Sequence, residues 1–327
     1  MNAALLAAAA AAAAAAVAAL LWYMVSVPGA SWRGALPPLG AEEAALAERL
    51  RKHVAAVASA EHNTRTPERL EAVARYIEAE LRAAGYAVRS QSYDSGGGLV
   101  RNLEAVLAGR EARSIVLGAH YDSVFGATGA NDNGSGVAAL LELARACAGA
   151  KPRHTLRFAF FANEEPPYFA TAAMGSRVYV DELLGRGDAV AAMFSLETIG
   201  YYSERPGSQR YPFPLGFFYP DRGDFIAFVA NLASRPLLHR ALAAFRREAR
   251  FPSEGIAAPA FIPGVDWSDQ WSFWRRRIPA VMITDTAPYR YPHYHLPSDT
   301  PDKVDYERLA RLASALERML RALDTEL

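Results

Sequence analysis

Residues 114–136 read SIVLGAHYDSVFGATGANDNGSG, and the two halves of this stretch follow different rules. Ser114 to Ala119 form a short apolar run of the kind that suits a strand buried on both faces. Behind it, His120, Asp122 and Asp132 crowd into a glycine-rich loop. Asn, Asp, Gly and Ser are ordinary turn formers, so this loop carries no chemistry by itself. Its meaning depends on what the rest of the chain brings to the same place.

Similar apolar runs recur at 156–162, 190–196 and 280–284, separated by helical stretches such as 137–148. Strands of this type interleaved with helices predict a largely parallel sheet covered on its faces. Upstream, 86–93 and 99–107 alternate around Gly96-Gly97-Gly98 and predict an antiparallel pair. Helical periodicity marks 42–58 and 67–84, the second closing at Gly85 as a C-cap does, and 237–250 reads as a further helix. The chain contains no internal repeat. The expectation is an α/β fold with a mixed, mostly parallel central sheet flanked by helices.

With 51% hydrophobic residues, 21% charged residues and no formal net charge, the 327-residue chain has an ordinary globular composition and no electrostatic case for binding nucleic acid. Its single cysteine, Cys147, excludes an intramolecular disulfide framework and a cysteine-rich zinc knuckle, so any metal must be held by His, Asp and Glu. Cys147 itself reads as a buried small residue in a helix. The N-terminus departs from this ordinary composition. From Ala3 to Val25 every residue is apolar, and as a helix this run reaches about 34 Å, enough to cross a bilayer. It ends in Trp22-Tyr23, as an interfacial belt does. Pro28-Gly-Ala30 is a poor cleavage site, which favours an uncleaved anchor over a removed signal peptide. Either reading exports the rest of the chain to the periplasm or the exterior, secreted if the segment is cleaved. The expected organisation is a membrane segment at 1–27, a Pro/Gly-containing linker at 28–40 and one catalytic domain at 41–327.

In open α/β sheets, ligands bind beyond the carboxyl ends of the strands. Here each apolar run ends in candidate ligands: His120 and Asp122, then Glu164-Glu165, then Glu197. Asp132 enters from the loop before the next helix, and His293 and His295 follow the last strand. Taken singly, each has a plain structural reading. His120 can be a hydrogen-bonded strand-end histidine, Asp132 a helix N-cap, Glu164-Glu165 an acidic first turn, Glu197 a solvated strand end, and the two histidines residents of an exposed loop. Jointly these readings fail, because several carboxylates gathered without a counter-charge resist ionisation.

Two zinc ions remove that repulsion. With Asp132 bridging, Glu165 and Glu197 as terminal ligands and a bridging hydroxide, the formal charges cancel, and neutral His120 and His295 complete the set. Asp122, two residues past His120, is placed to orient that imidazole. Glu164 is left free as the general base for the metal-bridging water.

HYD, NDNGSG, NEE, the carboxylate in SLETIG, and YHLPSDT, in this order, resemble the signature of the two-zinc aminopeptidase family that includes bacterial leucyl aminopeptidases and glutamate carboxypeptidase. The resemblance runs from about Arg65 to Leu323. It implies the three-layer zinc-exopeptidase fold and two zinc ions per chain. It also implies His120, Asp132, Glu165, Glu197 and His295 as ligands, Glu164 as catalytic base with Asp122 behind His120, and a peptide or aminoacyl substrate. Three positions depart from the pattern. Glu197 stands where many members have Asp, Pro166-Pro-Tyr-Phe169 replaces a glycine-containing continuation, and Gln270 occupies a place where histidine is common. Tyr289, Tyr291 and Tyr294 are oxyanion candidates by proximity alone. Aromatics between Tyr201 and Asp269 are candidates for an apolar substrate pocket, although each alone reads first as core packing. Two other readings share the fold: a glutaminyl-cyclase-like acyltransferase with one zinc, and a non-catalytic ectodomain. The oligomeric state is not legible.

Overall fold

The computed structural model describes residues 3–327. In chain order its main elements are α1 (Ala3–Val25), α2 (Ala41–Val57), α3 (Pro67–Ala83), β1 (Val88–Asp94), β2 (Leu99–Leu107), β3 (Glu111–His120), α4 (Gly134–Cys147), β4 (His154–Phe161), α5 (Gly175–Gly185) and β5 (Val190–Glu197). There follow β6 (Ile226–Asn231), α6 (Arg235–Glu248), β7 (Ser253–Ala258), α7 (Gln270–Arg275), β8 (Ala280–Thr284) and α8 (Tyr306–Glu326).

All eight strands join one sheet in the order β1-β2-β4-β3-β5-β8-β6-β7. The central strands β4, β3, β5 and β8 run parallel, β1 and β2 form the expected antiparallel pair at one edge, and β6 with β7 runs antiparallel to β8 at the other. The apolar runs become strands because both faces are covered. On one face Ile115, Leu117 and Ala119 of β3 join Phe158 and Phe160 of β4 and Phe194 of β5 under α2, α3, α4, α6 and α8. The alternate residues Val116, Ala159, Phe161 and Met193 point the other way, into a cluster with Tyr179 of α5 and Phe273 of α7. Gly118 belongs to that second set; a Cβ there would come within 2.4 Å of the Phe161 ring. Three layers result, and the parallel strands all release their carboxyl ends on one side.

Cys147 is buried and free, as expected. The predicted helices and strands agree with the elements to within three residues at their ends. The edge pair β6–β7 and the helices α5, α7 and α8 were not marked in the sequence. β7 reads SEGIAA, rich in residues depleted from strands, and forms because β6 and the end of α1 cover it.

α1 is the one helix among the described residues long and apolar enough to cross a membrane, and none of its apolar window is buried in the protein. Its last turn is different. Met24 is buried, Arg235 donates to the carbonyl of Tyr23 at 2.9 Å, and Arg246 donates to the carbonyls of Pro28 and Gly29 at 2.8 and 2.9 Å. Ser31 Oγ accepts from the Ser253 amide on β7 at 2.9 Å. The first residues of the expected linker are therefore fastened to the domain.

Candidate metal centre

Three strand ends and two loops meet at the carboxyl edge of the parallel sheet. His120 is the last residue of β3, Glu197 the last of β5, and Glu164-Glu165 follow β4 after Asn163, whose φ of +58° turns the chain back. Asp132 sits immediately before α4, and His295 arrives from the segment after β8.

The NDN triplet divides its labour. Asn133 caps α4 through Gly136 at 3.2 Å, donates to the Leu196 carbonyl at 2.8 Å and accepts from the Thr198 amide at 3.0 Å. Asn131 accepts from the Gly200 amide at 2.8 Å and donates to Asp285 at 2.9 Å. Both asparagines thus stitch the loop to the end of β5, and the aspartate between them stays free to face the site. Gly136 permits this closeness, since a Cβ there would lie 2.6 Å from the Leu196 carbonyl. Asp299, from the LPSDT stretch, completes the clamp by accepting from the Asn131 and Asp132 amides at 2.8 and 3.1 Å. The Asp132–Asn133 peptide bond is cis.

Asp132 divides its carboxylate between two clusters. Its Oδ1 lies 3.4 Å from His120 Nε2, and that nitrogen is 3.3 Å from Glu197 Oε2. Its Oδ2 lies 3.2 Å from His295 Nε2, which is also 3.2 Å from Glu165 Oε2. Two triads result, His120–Asp132–Glu197 and Asp132–Glu165–His295, each with donor atoms close enough to bind one cation. Glu164 belongs to neither; its Oε2 stands 3.9 Å from His120 Nε2.

Three donor atoms in these triads, His120 Nε2, Asp132 Oδ2 and Glu165 Oε1, are buried without a hydrogen-bond partner. Buried polar atoms are normally satisfied, and among the described residues the carboxylates have no Lys or Arg ion pair, only the two histidines. The proton affinities express the same imbalance. Burial, reinforced by Asp132, pushes Glu165 up to about 8, and burial with Glu197 and Glu165 nearby holds Glu164 well above the usual carboxylate range. Against the effect of burial, Asp132 and Glu165 pull His295 up to about 10, and Glu197 and Glu164 raise His120 as well. The protein itself supplies too little positive charge here. Nitrogen and carboxylate donors in two triads sharing one aspartate suit a pair of divalent cations of the zinc class.

The surrounding residues fix these donors. Asp122 accepts from the Glu164 and Glu165 amides at 3.0 and 3.1 Å, so it positions the EE turn. His120 Nδ1 is 3.1 Å from the Asp122 carbonyl and 3.6 Å from its carboxylate; the backbone oxygen is the closer partner, because Asp122 lies past the end of β3 and turns its side chain toward β4. Glu197 is held by the hydroxyls of Thr198 and Ser268, each at 2.7 Å. The longer glutamate therefore reaches the triad with both oxygens oriented.

His293 stays outside the triads, half-buried and bonded to Ser298 at 2.9 Å. Gln270 is buried against the Val265 carbonyl at 3.1 Å and starts α7 instead of facing the triads. Tyr289 donates to Pro263 and Tyr291 to Asp299, leaving Tyr294, stacked on His295 at 3.8 Å between ring centroids, as the tyrosine that lines the cleft. Pro166 and Phe169 form one wall of that cleft and Trp267 another. Sequence reasoning missed Asp299, the paired role of Asn131 and Asn133, and Asp269. The last is fully buried beside the site, with burial pushing its carboxyl up to about 7. Replacing Asp299 with alanine is expected to weaken metal affinity about 10- to 100-fold by releasing the Asp132 loop; chelator competition measures it.

The family model for peptidase family M28 matches residues 102–320. The uncharacterized protein YfbL of Escherichia coli is 40% identical over 256 residues, covering 76% of this chain and 78% of its own. Among solved structures, the aminopeptidase from Aneurinibacillus sp. strain AM-1 superimposes with a TM-score of 0.63 at 18% identity, covering 84% of this chain and 93% of that one. The glutaminyl cyclase of Bacteroides thetaiotaomicron does so with a TM-score of 0.65 at 19% identity, covering 84% and 97%. The expected zinc-exopeptidase fold is the fold found.

Proposed function

This chain belongs to peptidase family M28, and from that premise we propose that it is a two-zinc aminopeptidase, exported and held at the membrane by α1. The observation that carries the two-metal reading is the split carboxylate of Asp132, one oxygen on each triad. His120 and Glu197 would hold one zinc and Glu165 and His295 the other. When bound, zinc lowers the pKa of water to about 7 and polarises a scissile carbonyl.

The chain's own residues do the rest. Glu164, next to both triads but in neither, takes the proton of the attacking water and returns it to the leaving amine. Asp122 holds the backbone on which Glu164 stands. The Tyr294 hydroxyl, free of the bonds that occupy Tyr289 and Tyr291, faces the developing oxyanion. The aminopeptidases among its relatives favour cleavage at the N-terminus, with the substrate's free amine anchored near the metals. Pro166, Phe169 and Trp267 offer apolar walls to the terminal side chain. Tyr294→Phe is expected to lower kcat about 10²-fold with little change in KM, the usual cost of one oxyanion donor, read from steady-state kinetics.

A glutaminyl cyclase of the same fold would use a single zinc. Two triads joined through one aspartate favour the peptidase, while the two solved relatives resemble this chain about equally. Full-length protein in detergent is expected to contain two zinc ions and to release the amino acid from leucyl p-nitroanilide. Cyclisation of an N-terminal glutaminyl peptide with one bound zinc would replace this reading by the cyclase, and absence of metal and of both activities would leave a binding ectodomain.

A further inference from the structure

An apolar face beside the cleft has no part in this chemistry. Met24 at the end of α1 is buried in one cluster with Leu215, Phe225, Val229 and Ile256, and Tyr211, Tyr219 and Ile262 pack against it. The turn that carries Leu215 also carries Phe213 and Phe217, which are 88% and 80% exposed, their rings 6.1 Å apart. Next to Ile262, Phe261 is 85% exposed. A contiguous apolar patch of this kind on a protein surface marks an interaction site. Leu215 and Ile262, beside these phenylalanines in the chain, share their cluster with Met24 in the last turn of α1, and Trp22, two residues before Met24, is itself 70% exposed.

The height of the patch relative to α1 is fixed. Arg235 lies over the Tyr23 ring at 4.1 Å and bonds Ser26 Oγ at 2.9 Å, while Tyr219 donates to the Gly255 carbonyl at 2.8 Å. Gly255 in turn faces Val27, whose Cγ1 would be 3.2 Å from a Cβ placed there. The helix end, the 211–219 turn and the 259–265 loop are one packed unit. A narrow apolar cleft of about 100 Å³, open to solvent, is lined by Tyr211, Leu215 and Ile262 on this face and reaches Glu197 and Tyr294.

Resting on the anchored reading above, we infer that Phe213, Phe217 and Phe261 seat in the interfacial layer of the bilayer that α1 crosses. The phospholipid surface is the occupant of this face. The domain then lies against the membrane with its apolar cleft at the lipid boundary, and its substrates are peptides whose apolar N-terminal residues are held at that boundary. Aromatic side chains favour this layer, and the loops are carried to it by the helix.

The test uses the full chain with Cys147→Ala, reconstituted in phosphatidylcholine/phosphatidylglycerol vesicles. A fluorescent label is placed at one of three introduced cysteines, Val17→Cys, Phe217→Cys or Glu68→Cys, and shallow doxyl-phosphatidylcholine is the quencher. Loss of fluorescence is expected at 17 and 217 and none at 68. Quenching at 17 without quenching at 217 overturns the inference and leaves the anchor standing. Quenching at neither removes the anchored reading and the inference together. As a second arm, the Phe213→Ser, Phe217→Ser, Phe261→Ser variant is expected to keep its rate on soluble leucyl p-nitroanilide, which reports folding, and to lose at least about tenfold on a lipid-tethered leucyl peptide. Equal rates on the tethered peptide before and after substitution overturn the inference.

Discussion

Glu164→Gln lowers kcat by about 10³-fold, within the 10²- to 10⁴-fold range for a positioned general base, while the protein keeps both zinc ions and its melting temperature. The expectation follows from the position of Glu164. It is 93% shielded from solvent and stands 3.9 Å from His120 Nε2, beside both triads and a member of neither. Glutamine has the same length and still accepts a hydrogen bond, but it cannot take a proton. KM is expected to change little, since the substrate's ammonium and side chain are held elsewhere. Steady-state kinetics on leucyl p-nitroanilide with zinc analysis of the same preparation decide the matter. A variant that loses metal along with activity would make Glu164 a ligand, and one with wild-type kcat would remove it from the chemistry.

The parallel sheet and the donors at its carboxyl edge were legible in the sequence for one reason. A strand buried on both faces is nearly continuously apolar, so His120, Glu164, Glu165 and Glu197 stand out as the ionisable residues that close or directly follow such runs. The edge strands β6 and β7 lack that contrast. Ile226–Asn231 lies in a stretch crowded with aromatics, and β7 carries Gly and two Ala where β-branched residues are usual. The residues that hold the donors were hidden differently. Asn131, Asn133 and Asp299 are ordinary turn formers by type, and their role exists only once β5, α4 and the 296–300 segment come together. Asp122 was visible as a neighbour of His120, yet its strongest bonds run to a different strand's loop. Pattern gives away side chains at the ends of buried strands; partners distant in the chain need the fold.

Asp132→Ala is expected to lose both metals, and this variant separates a shared ligand from two independent sites. If each triad bound its own ion without a bridge, removing Asp132 would weaken each by one ligand of three, much as Glu197→Ala or Glu165→Ala weakens its own. The geometry demands more. One Asp132 oxygen faces each triad, and without that carboxylate a pair of cations held at the roughly 3.5–4 Å usual for co-catalytic sites would repel each other with no bridging charge between them. Glu197→Ala and Glu165→Ala are therefore expected to retain about one zinc each, whereas Asp132→Ala retains none, with hydrolysis below detection. Asp132→Asn distinguishes charge from shape. It preserves the loop bonds that Asp299 makes to the backbone amides while removing the charge, so zinc loss in Asn as in Ala assigns the bridge to the carboxylate. Retention of two zinc ions by Asp132→Asn would show that the two triads bind without it.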